Sequence, residues 1–310
     1  MALPDYTALA LKDLKTYLDE GVLVVLIDRA KHKNTFNGNI ADELQEVFEL
    51  ADRDHRVRVV ILSAEHTAAA YCSGADISGG WSALWDKDDQ QEGGLAHRDG
   101  GGKVTLTIYN CRKITIAAVN GHAVGFRSLV TFIAGVGMTA LQLPFDLRFV
   151  WAGAKLTFPF IRRGIVPEAA SSYLLPRLIG QSRASSLFLT GGTFSPNSPQ
   201  IQSLYHDILP TREEVFPKAL ALAKELAVHA APKSVTYTKG LIQHPGDNIE
   251  ENHLLDSRAI KILASGKDAA EGARSFFERR PPRWQDTSED KEEWYPWWKR
   301  VDVRHRRSKL

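Results

Sequence analysis

The chain has 310 residues, of which 44% are hydrophobic and 25% charged, a composition that suits one substantial core or a core with a small appended domain. Its formal net charge of +2 argues against a dedicated nucleic-acid binder, although arginines make the extreme C-terminus basic. Only Cys72 and Cys111 occur, so no disulfide framework is implied, and the first residues lack the basic and apolar regions of a secretory signal.

The first third of the chain alternates apolar runs of strand length with an amphipathic helical pattern. The run at 21–27 has almost no polar position, which predicts a strand buried on both faces. Leucines before it recur at helical spacing, so the expectation there is a helix. The predicted elements are a helix within 1–20, strands at 21–27 and 57–62, a helix at 40–51, and a mobile surface segment at 79–102 with Trp81 and Trp85 as anchors.

The uncharged stretch at 128–145 approaches the length of a membrane-spanning helix. It contains Gln142, Pro144 and two glycines, and it lacks an aromatic belt and a basic stop signal. A buried helix in the core is therefore the better interpretation, and no membrane span is expected. The other elements predicted in this part are strands at 114–119 and 149–151, and helices from residue 171, at 211–229 and at 250–264.

The alternation of strands and helices predicts an α/β core followed by a helical part. We divide the chain into an N-terminal extension at 1–20, a core at 21–209, a helical region at 210–285, and a loosely ordered, tryptophan-rich tail at 286–310.

A turn of small residues at 120–125 directly follows the apolar run at 114–119. A strand that enters a glycine-bearing turn and then a helix leaves unpaired N–H groups at the start of that helix. Such groups can hold an anion or a developing oxyanion. The sequence therefore predicts an oxyanion site at this turn.

Four local sequence patterns occur in the chain in a characteristic order: AYCSGADI at 70–77, NGHAVG at 120–125, GIVPEAASSY at 164–173 and FERRPPRW at 277–284. Each is weak alone, but together they resemble the crotonase, or enoyl-CoA hydratase/isomerase, superfamily over about residues 20–285. The peroxisomal Δ3,Δ2-enoyl-CoA isomerase-like branch looks nearest. The resemblance implies an acyl-CoA-binding core with a crotonase-like spiral of repeated ββα units, and a C-terminal helical region that forms a homotrimer or homohexamer.

The resemblance also implies that two backbone N–H groups hold the carbonyl oxygen of an acyl-CoA thioester, one of them from Ala75. Losing one such donor typically costs about 3 kcal/mol of barrier. For the second donor the chain departs from the pattern, because Asn120 and Asp146 lie farther apart than the resemblance leads us to expect. If 126–135 is an insertion, Gly137 supplies the N–H; threaded directly, Arg127 does. A splicing artefact that separates the two halves of the turn is a third interpretation.

Glu168 matches the glutamate of the isomerase-like branch. Hydration needs two acid/base groups, and hydratases of this family supply two glutamates. The equivalent positions here hold Phe160 and, depending on the threading, Ala140 or Val130. One carboxylate can serve isomerisation by moving a proton from C2 to C4, and apolar neighbours would raise its pKa. The alternative interpretation of Glu168 is a capping carboxylate in the first turn of a helix.

The predicted CoA-binding residues are basic or lie in turns. Lys31 and Lys33 are expected to contact the nucleotide phosphates, with a solvated basic turn as the alternative. Arg279 or Arg280 is expected to reach the ligand of a neighbouring subunit. Asp76 can also be interpreted as a hydrogen-bond acceptor that closes its turn. The other predicted CoA-binding residues are Ser73, Gly74 and Ile77.

No metal-ligand spacing is present in the sequence, and no cofactor is expected apart from the coenzyme A of the substrate. His122 lacks the partner pattern of a catalytic triad, and nothing near Cys72 would activate a thiolate. Both side chains are therefore interpreted as structural.

The chain ends in Ser308, Lys309 and Leu310, a tripeptide that a peroxisomal import receptor reads as an address. The alternative is a basic tail that ends this way by chance. The leading hypothesis is a peroxisomal Δ3,Δ2-enoyl-CoA isomerase with Glu168 as its acid/base group. The alternatives are an enoyl-CoA hydratase of fatty-acid or secondary metabolism, and a catalytically impaired CoA-binding subunit.

Overall fold

The computed structural model describes residues 3–68, 70–76, 98–123 and 139–286. Several predictions lie outside these residues and stay predictions. They concern Ile77, the insertion at 126–135, both candidates for the second oxyanion donor, Arg127 and Gly137, most of the segment at 79–102, the tail, and the tripeptide Ser308, Lys309 and Leu310.

The core is built on a six-stranded sheet with the order β1-β2-β3-β4-β5-β8. The first strand runs antiparallel to its neighbour, and the remaining pairs are parallel. A small antiparallel pair, β6 with β7, lies apart from it. The strands are β1 (Leu14–Asp19), β2 (Val22–Ile27), β3 (Val59–Ala64), β4 (Ile114–Val119), β5 (Leu147–Trp151), β6 (Leu156–Thr157), β7 (Thr193–Phe194) and β8 (Asp207–Leu209).

Strand β2 separates two parts of the apolar core, because successive side chains of a strand point to opposite faces. Leu23 and Val25 pack in the cluster that includes the helix Gly38–Arg53, whereas Val22 and Val24 pack in the cluster that includes the helix Arg212–His229. The predicted burial of this run on both faces is therefore confirmed. The helices are α1 (Gly38–Arg53), α2 (Gly100–Tyr109), α3 (Ser171–Ile179), α4 (Gln181–Thr190), α5 (Arg212–His229), α6 (Pro232–Gln243), α7 (Ile249–Ala264) and α8 (Lys267–Glu278).

The helices predicted at 40–51, 211–229 and 250–264, and from residue 171, are confirmed, and so is the α/β class. Within residues 128–145, the described part contains a short 3₁₀ helix, Ala140–Gln142, all of whose residues are buried. None of the described helices combines the length and the apolar character needed to cross a bilayer.

Two expectations are wrong. Leu14–Asp19 forms β1 rather than a helix, because its backbone completes the edge of the sheet against β2. The division at residue 20 consequently passes through a β-hairpin. The surface segment predicted to reach Gly102 ends earlier, since Asp99 caps α2 and the three glycines after it form the first helical turn.

Candidate active site

The chain segments that follow β2, β3 and β4 meet at one edge of the sheet. Because these strands are parallel, their carboxyl ends lie side by side, and this is where open α/β sheets bind ligands. Isolated bridges pair Phe36 with Ala75 and Ala70 with His122. The first and second of the four sequence motifs are thereby brought together.

The backbone around Ala75 leaves one N–H available to a ligand. Phe36 N–H donates to Gly74 O at 2.8 Å, and Asp76 N–H donates to Phe36 O at 2.7 Å. Gly74 has a φ of 103°, a value that favours glycine, and it turns the chain between these two bonds. Among the described residues, the N–H of Ala75 has no hydrogen-bond partner although Ala75 is buried. An unpaired buried donor of this kind suits the predicted oxyanion role.

Glu168 precedes α3 in a strained stretch of backbone. The two residues after it, Ala169 and Ala170, have φ values of 54° and 50°, which are unusual for residues other than glycine. Ser171 holds this turn, because both its N–H and its hydroxyl donate to the carbonyl oxygen of Glu168. No side chain caps α3, so the structure does not support the interpretation of Glu168 as a capping carboxylate.

Glu168 and Ala75 line the same cavity, which has a volume of about 120 Å³. Burial, together with the smaller effect of the negative charge of Asp99, raises the pKa of Glu168 to about 7. A carboxyl group with this pKa exchanges protons readily near neutral pH. The predicted base, Glu168, and one predicted oxyanion donor, Ala75, therefore line the same small cavity.

Asp99 is one of two further carboxylates that line this cavity, the other being Asp42 on α1, and sequence reasoning missed it. Its Oδ1 accepts hydrogen bonds from Gly102 N at 2.6 Å and from Ala169 N at 3.3 Å. A Cβ atom placed on Gly101 would lie 3.2 Å from this Oδ1 and 3.7 Å from Oε2 of Glu168. Both carboxylates thus surround one point beside the start of α2. The available signal was an aspartate directly before a glycine run and an apolar helical pattern, the arrangement of an N-cap.

The turn that carries Lys31 and Lys33 lies against the Ala75 loop. Residues Ala30–His32 form a 3₁₀ helix, and Lys31 on it is exposed. Ser73 N–H donates to Lys33 O at 3.2 Å. The predicted CoA-binding residues before Ile77 are therefore neighbours, and their role in binding the nucleotide stays a prediction.

Asp76 accepts hydrogen bonds from both terminal nitrogens of Arg29 at 3.3 Å. Asp76 is therefore a hydrogen-bond acceptor, but these bonds link it to another segment rather than close its own turn. Arg280 forms ion pairs with Glu271 and Glu278, both at 2.6 Å. Its guanidinium group is thereby held on α8, and the predicted contact of Arg279 or Arg280 with a neighbouring subunit's ligand stays a prediction.

His122 and Cys72 have structural surroundings, as predicted. Nδ1 of His122 accepts a hydrogen bond from Lys155 N at 3.2 Å, and burial lowers the pKa of the ring. Burial raises the pKa of the Cys72 thiol to about 12, so a reactive thiolate is disfavoured. In the described part of the chain, no group of three or more potential metal ligands forms a cluster.

Residues 18–287 match the family model of the enoyl-CoA hydratase/isomerases. The chain belongs to this family. The resemblance to the crotonase superfamily inferred from the four motifs is confirmed, and so is the crotonase-like fold.

Relatives and solved structures agree with this assignment. The enoyl-CoA hydratase AFT3-1 of Alternaria alternata is 36% identical, with coverage of 86% of this chain and 84% of its own length. The mevalonyl-coenzyme A hydratase SIDH of Beauveria bassiana is 28% identical, with coverage of 86% and 92%. The crystal structure of a probable enoyl-CoA hydratase/isomerase from Mycobacterium abscessus matches with a TM-score of 0.76 and 29% identity, covering 88% of this chain and 99% of that one.

Of the positions at which the resemblance places hydratase glutamates, Phe160 and, if 126–135 is an insertion, Ala140 are apolar and buried, whereas Val130, the position on direct threading, lies outside the described residues. Ala140 and Phe160 are both fully buried and pack in the same core cluster as Ala169. Neither position therefore supplies a carboxylate to the cavity. Among the described residues that line the cavity beside Ala75, Asp99 is the carboxylate that lies with Glu168 next to Gly101.

Proposed function

We propose that this protein adds water to a 2-enoyl-CoA thioester and catalyses the reverse dehydration. The observation that carries the proposal is the pair of carboxylates, Asp99 and Glu168, in one cavity with the free N–H of Ala75. The raised pKa of Glu168 suits a proton donor at neutral pH, and a second carboxylate beside it can accept a proton from water.

In this mechanism the two carboxyl groups have different roles. Asp99 accepts a proton from water as the water oxygen bonds to C3, and the π electrons of the double bond move onto the thioester. The Ala75 N–H stabilises the negative charge that grows on the thioester oxygen. Protonated Glu168 then delivers its proton to C2, and exchange with solvent restores both carboxyl groups. The names of the relatives from Alternaria alternata and Beauveria bassiana, both hydratases, support this direction.

Isomerisation between 3-enoyl-CoA and 2-enoyl-CoA is the second candidate. It is favoured by the match of Glu168 to the isomerase-like motif and by the apolar residues Ala140 and Phe160 at the hydratase positions. Here ionised Glu168 removes the C2 proton and returns it at C4, and Asp99 only tunes its pKa.

Product analysis of the purified protein separates these reactions. With a 2-enoyl-CoA, hydration produces an adduct heavier by one water, whereas isomerisation of a 3-enoyl-CoA leaves the mass unchanged. Asp99→Asn is the decisive variant, because asparagine caps a helix as well as aspartate but cannot take a proton. We expect this variant to lose hydration while remaining folded.

A water adduct formed at undiminished rate by Asp99→Asn would contradict the proposed role of Asp99. Conversion of 3-enoyl-CoA without any adduct, lost only in Glu168→Gln, would establish isomerisation instead. No turnover of either substrate would overturn both reactions and favour the CoA-binding subunit.

We propose that the protein acts in peroxisomes, without a cofactor beyond substrate coenzyme A. The support is the tripeptide Ser308, Lys309 and Leu310, a signal that the import receptor binds. A fluorescent protein fused to the N-terminus should colocalise with a peroxisomal marker, and removal of Leu310 should disperse it. Colocalisation that survives this deletion would count against the signal.

We also propose that the helical region assembles a homotrimer or homohexamer. Large apolar side chains on α7 and α8 are exposed in the single chain, and surfaces of this kind usually mark interfaces. Light scattering on the purified protein should give three or six times the chain mass, and a monomer mass would contradict this. The side chains are Ile249, Leu254, Ile260, Phe276 and Phe277, which are 68–81% exposed.

A further inference from the structure

The loop that carries Ala75 is attached to His122, whose O accepts from Cys72 N at 3.3 Å, and through more bonds to the neighbouring turn at 29–36. Asn34 donates from its side chain to Ala70 O at 2.9 Å, and the Cys72 thiol donates to Asn34 O at 2.5 Å. Backbone bonds of Phe36 and Lys33 complete the attachment. The direction of the Ala75 N–H therefore depends on how firmly this turn is held.

The side chain of Arg29 also connects this turn to the loop. Its Nη1 donates to Thr35 Oγ1 at 2.5 Å and to Thr35 O at 3.1 Å, within the turn. Both Nη atoms also donate to Asp76 Oδ2 at 3.3 Å, within the loop. The guanidinium is largely buried, so water competes little for these bonds.

The same guanidinium is also linked, through Asp13 and Asn37, to α1, whose first turn lines the cavity. Its Nε lies 3.7 Å from Asp13 Oδ1, and Asp13 accepts a hydrogen bond from Asn37 Nδ2 at 3.3 Å. Asn37 caps α1 by accepting from Ile40 N at 2.8 Å, and the first turn of α1 lines the cavity. One cation thus joins the oxyanion loop to the helix that faces it.

We propose that Arg29 is a positioning residue of the oxyanion hole, which fixes the Ala75 N–H through Asp76 and the Thr35 turn. Asp76 directly follows Ala75, so its fixed carboxylate and its backbone bond to Phe36 hold the adjoining peptide. A planar, forked guanidinium holds two partners at fixed angles, which the single ammonium of lysine cannot do. Hydrogen-bond donors held in a fixed direction stabilise the enolate much better than the neutral thioester. A less fixed Ala75 N–H should therefore lower the rate of enolate formation more than the affinity for the acyl-CoA.

This role of Arg29 rests on the proposed acyl-CoA thioester chemistry, but it is the same whether the reaction is hydration or isomerisation. Exchange of the C2 hydrogens of a saturated acyl-CoA with D2O requires only an enolate, so it reports the oxyanion hole in a hydratase and in an isomerase alike. Glu168→Gln should abolish this exchange. If the unaltered protein shows none, the proposed function fails and the positioning role fails with it.

The test compares Arg29→Lys and Asp76→Asn with the unaltered protein. Both substitutions keep a polar group in place, and in Asp76→Asn the guanidinium of Arg29 still has the carboxylate of Asp13 beside it. We expect the exchange rate at saturating acyl-CoA to fall about 10- to 100-fold, since small misplacements of catalytic groups have effects of this size. The Kd for the saturated acyl-CoA should change less than about threefold, because the neutral thioester gains little from the aim of the donor.

Arg56→Lys is the matched control. Arg56 pairs with Asp54 at 2.7 Å, and neither residue lines the cavity. The control should therefore keep its exchange rate. Exchange rates in Arg29→Lys and Asp76→Asn equal to that of Arg56→Lys would overturn the proposal. A loss of acyl-CoA affinity in proportion to the loss of exchange, or unfolding of both variants in circular dichroism, would show a merely structural role and would also overturn it.

Discussion

At the scale of single residues, two carboxyl groups that line the cavity, Asp99 and Glu168, differ in their hydrogen-bond partners. Asp99 receives two backbone N–H bonds, whereas the carboxylate of Glu168 receives none from the described residues. At Glu168, burial without such bonds favours the neutral acid and raises the pKa. The same functional group is therefore suited to opposite roles at the two positions.

The pH dependence of kcat/KM follows from the pKa of Glu168, which is about 7. Below pH 7 the group is mostly protonated and can donate to C2, so hydration should fall as pH rises through about 7. An isomerase that uses ionised Glu168 should rise over the same range. A pH–rate profile from pH 5 to 9 distinguishes the two.

Asp99→Asn and Glu168→Gln test the origin of this pH dependence. Asp99→Asn removes one cause of the raised pKa of Glu168, while burial persists. The pH at which the residual kcat/KM changes should therefore be lower than in the unaltered protein. Glu168→Gln should leave a low and flat profile. A change in kcat/KM near pH 7 that persists in Glu168→Gln would show that another group titrates there.

At the scale of elements, the site depends on how closely α2 approaches the turn before α3. Asp99 caps α2 and also accepts from Ala169, so it joins the two elements. Gly101 lies at the point of closest approach, where a side chain would meet Ala169 Cβ at 3.1 Å. Glycine is needed there for space, since its φ is not in the left-handed region.

Gly101→Ala should therefore lower kcat at least about tenfold, because the new methyl group displaces Asp99 and Ala169 and misaligns the carboxylates. Folding should persist, since alanine favours a helix over glycine by up to about 1 kcal/mol. Gly100→Ala is the control: its methyl group would lie 3.8 Å from Ala41 Cβ, an ordinary contact. Steady-state kinetics with equal losses in both variants would contradict this account.

At the scale of the whole molecule, a largely buried ion pair connects the helical region to the core. Lys239 on α6 donates to Asp146 Oδ2 and to Lys113 O, both at 2.7 Å. Asp146 also accepts from Thr115 N at 2.7 Å, at the start of β4. The side chain of Lys239 is only 10% exposed, so the pair is little screened by solvent.

Lys239→Met should lower the free energy of unfolding by about 2 kcal/mol, the usual effect of losing a hydrogen bond to a charged group. Lys224→Met is the comparison, because Lys224 pairs with Asp19 and Glu20 at the surface, where such bridges contribute little. Denaturant titration of both variants measures the difference. A loss in Lys224→Met as large as in Lys239→Met would contradict the tethering role.

Sequence patterns predicted the elements whose structure depends on local periodicity. The apolar run of β2 and the amphipathic pattern of α1 were predicted correctly because burial on two faces and on one face leave different spacings. Residues 14–19 were predicted wrongly because leucines at helical spacing also fit an edge strand, and only pairing with β2 decides between them. The same limit applied to Asp99, whose partners lie in another element.

The sequence by itself determined the family, and it singled out Glu168 and Ala75 as the predicted acid/base group and donor, because each lies in a short motif whose residues are adjacent in the chain. Only the tertiary structure placed Asp99 beside Glu168, 69 positions away, and Arg29 beside Asp76, 47 positions away. Contacts between residues so distant in sequence depend on how strands and helices pack, and packing leaves no local pattern. The reaction proposed for this protein depends on those contacts.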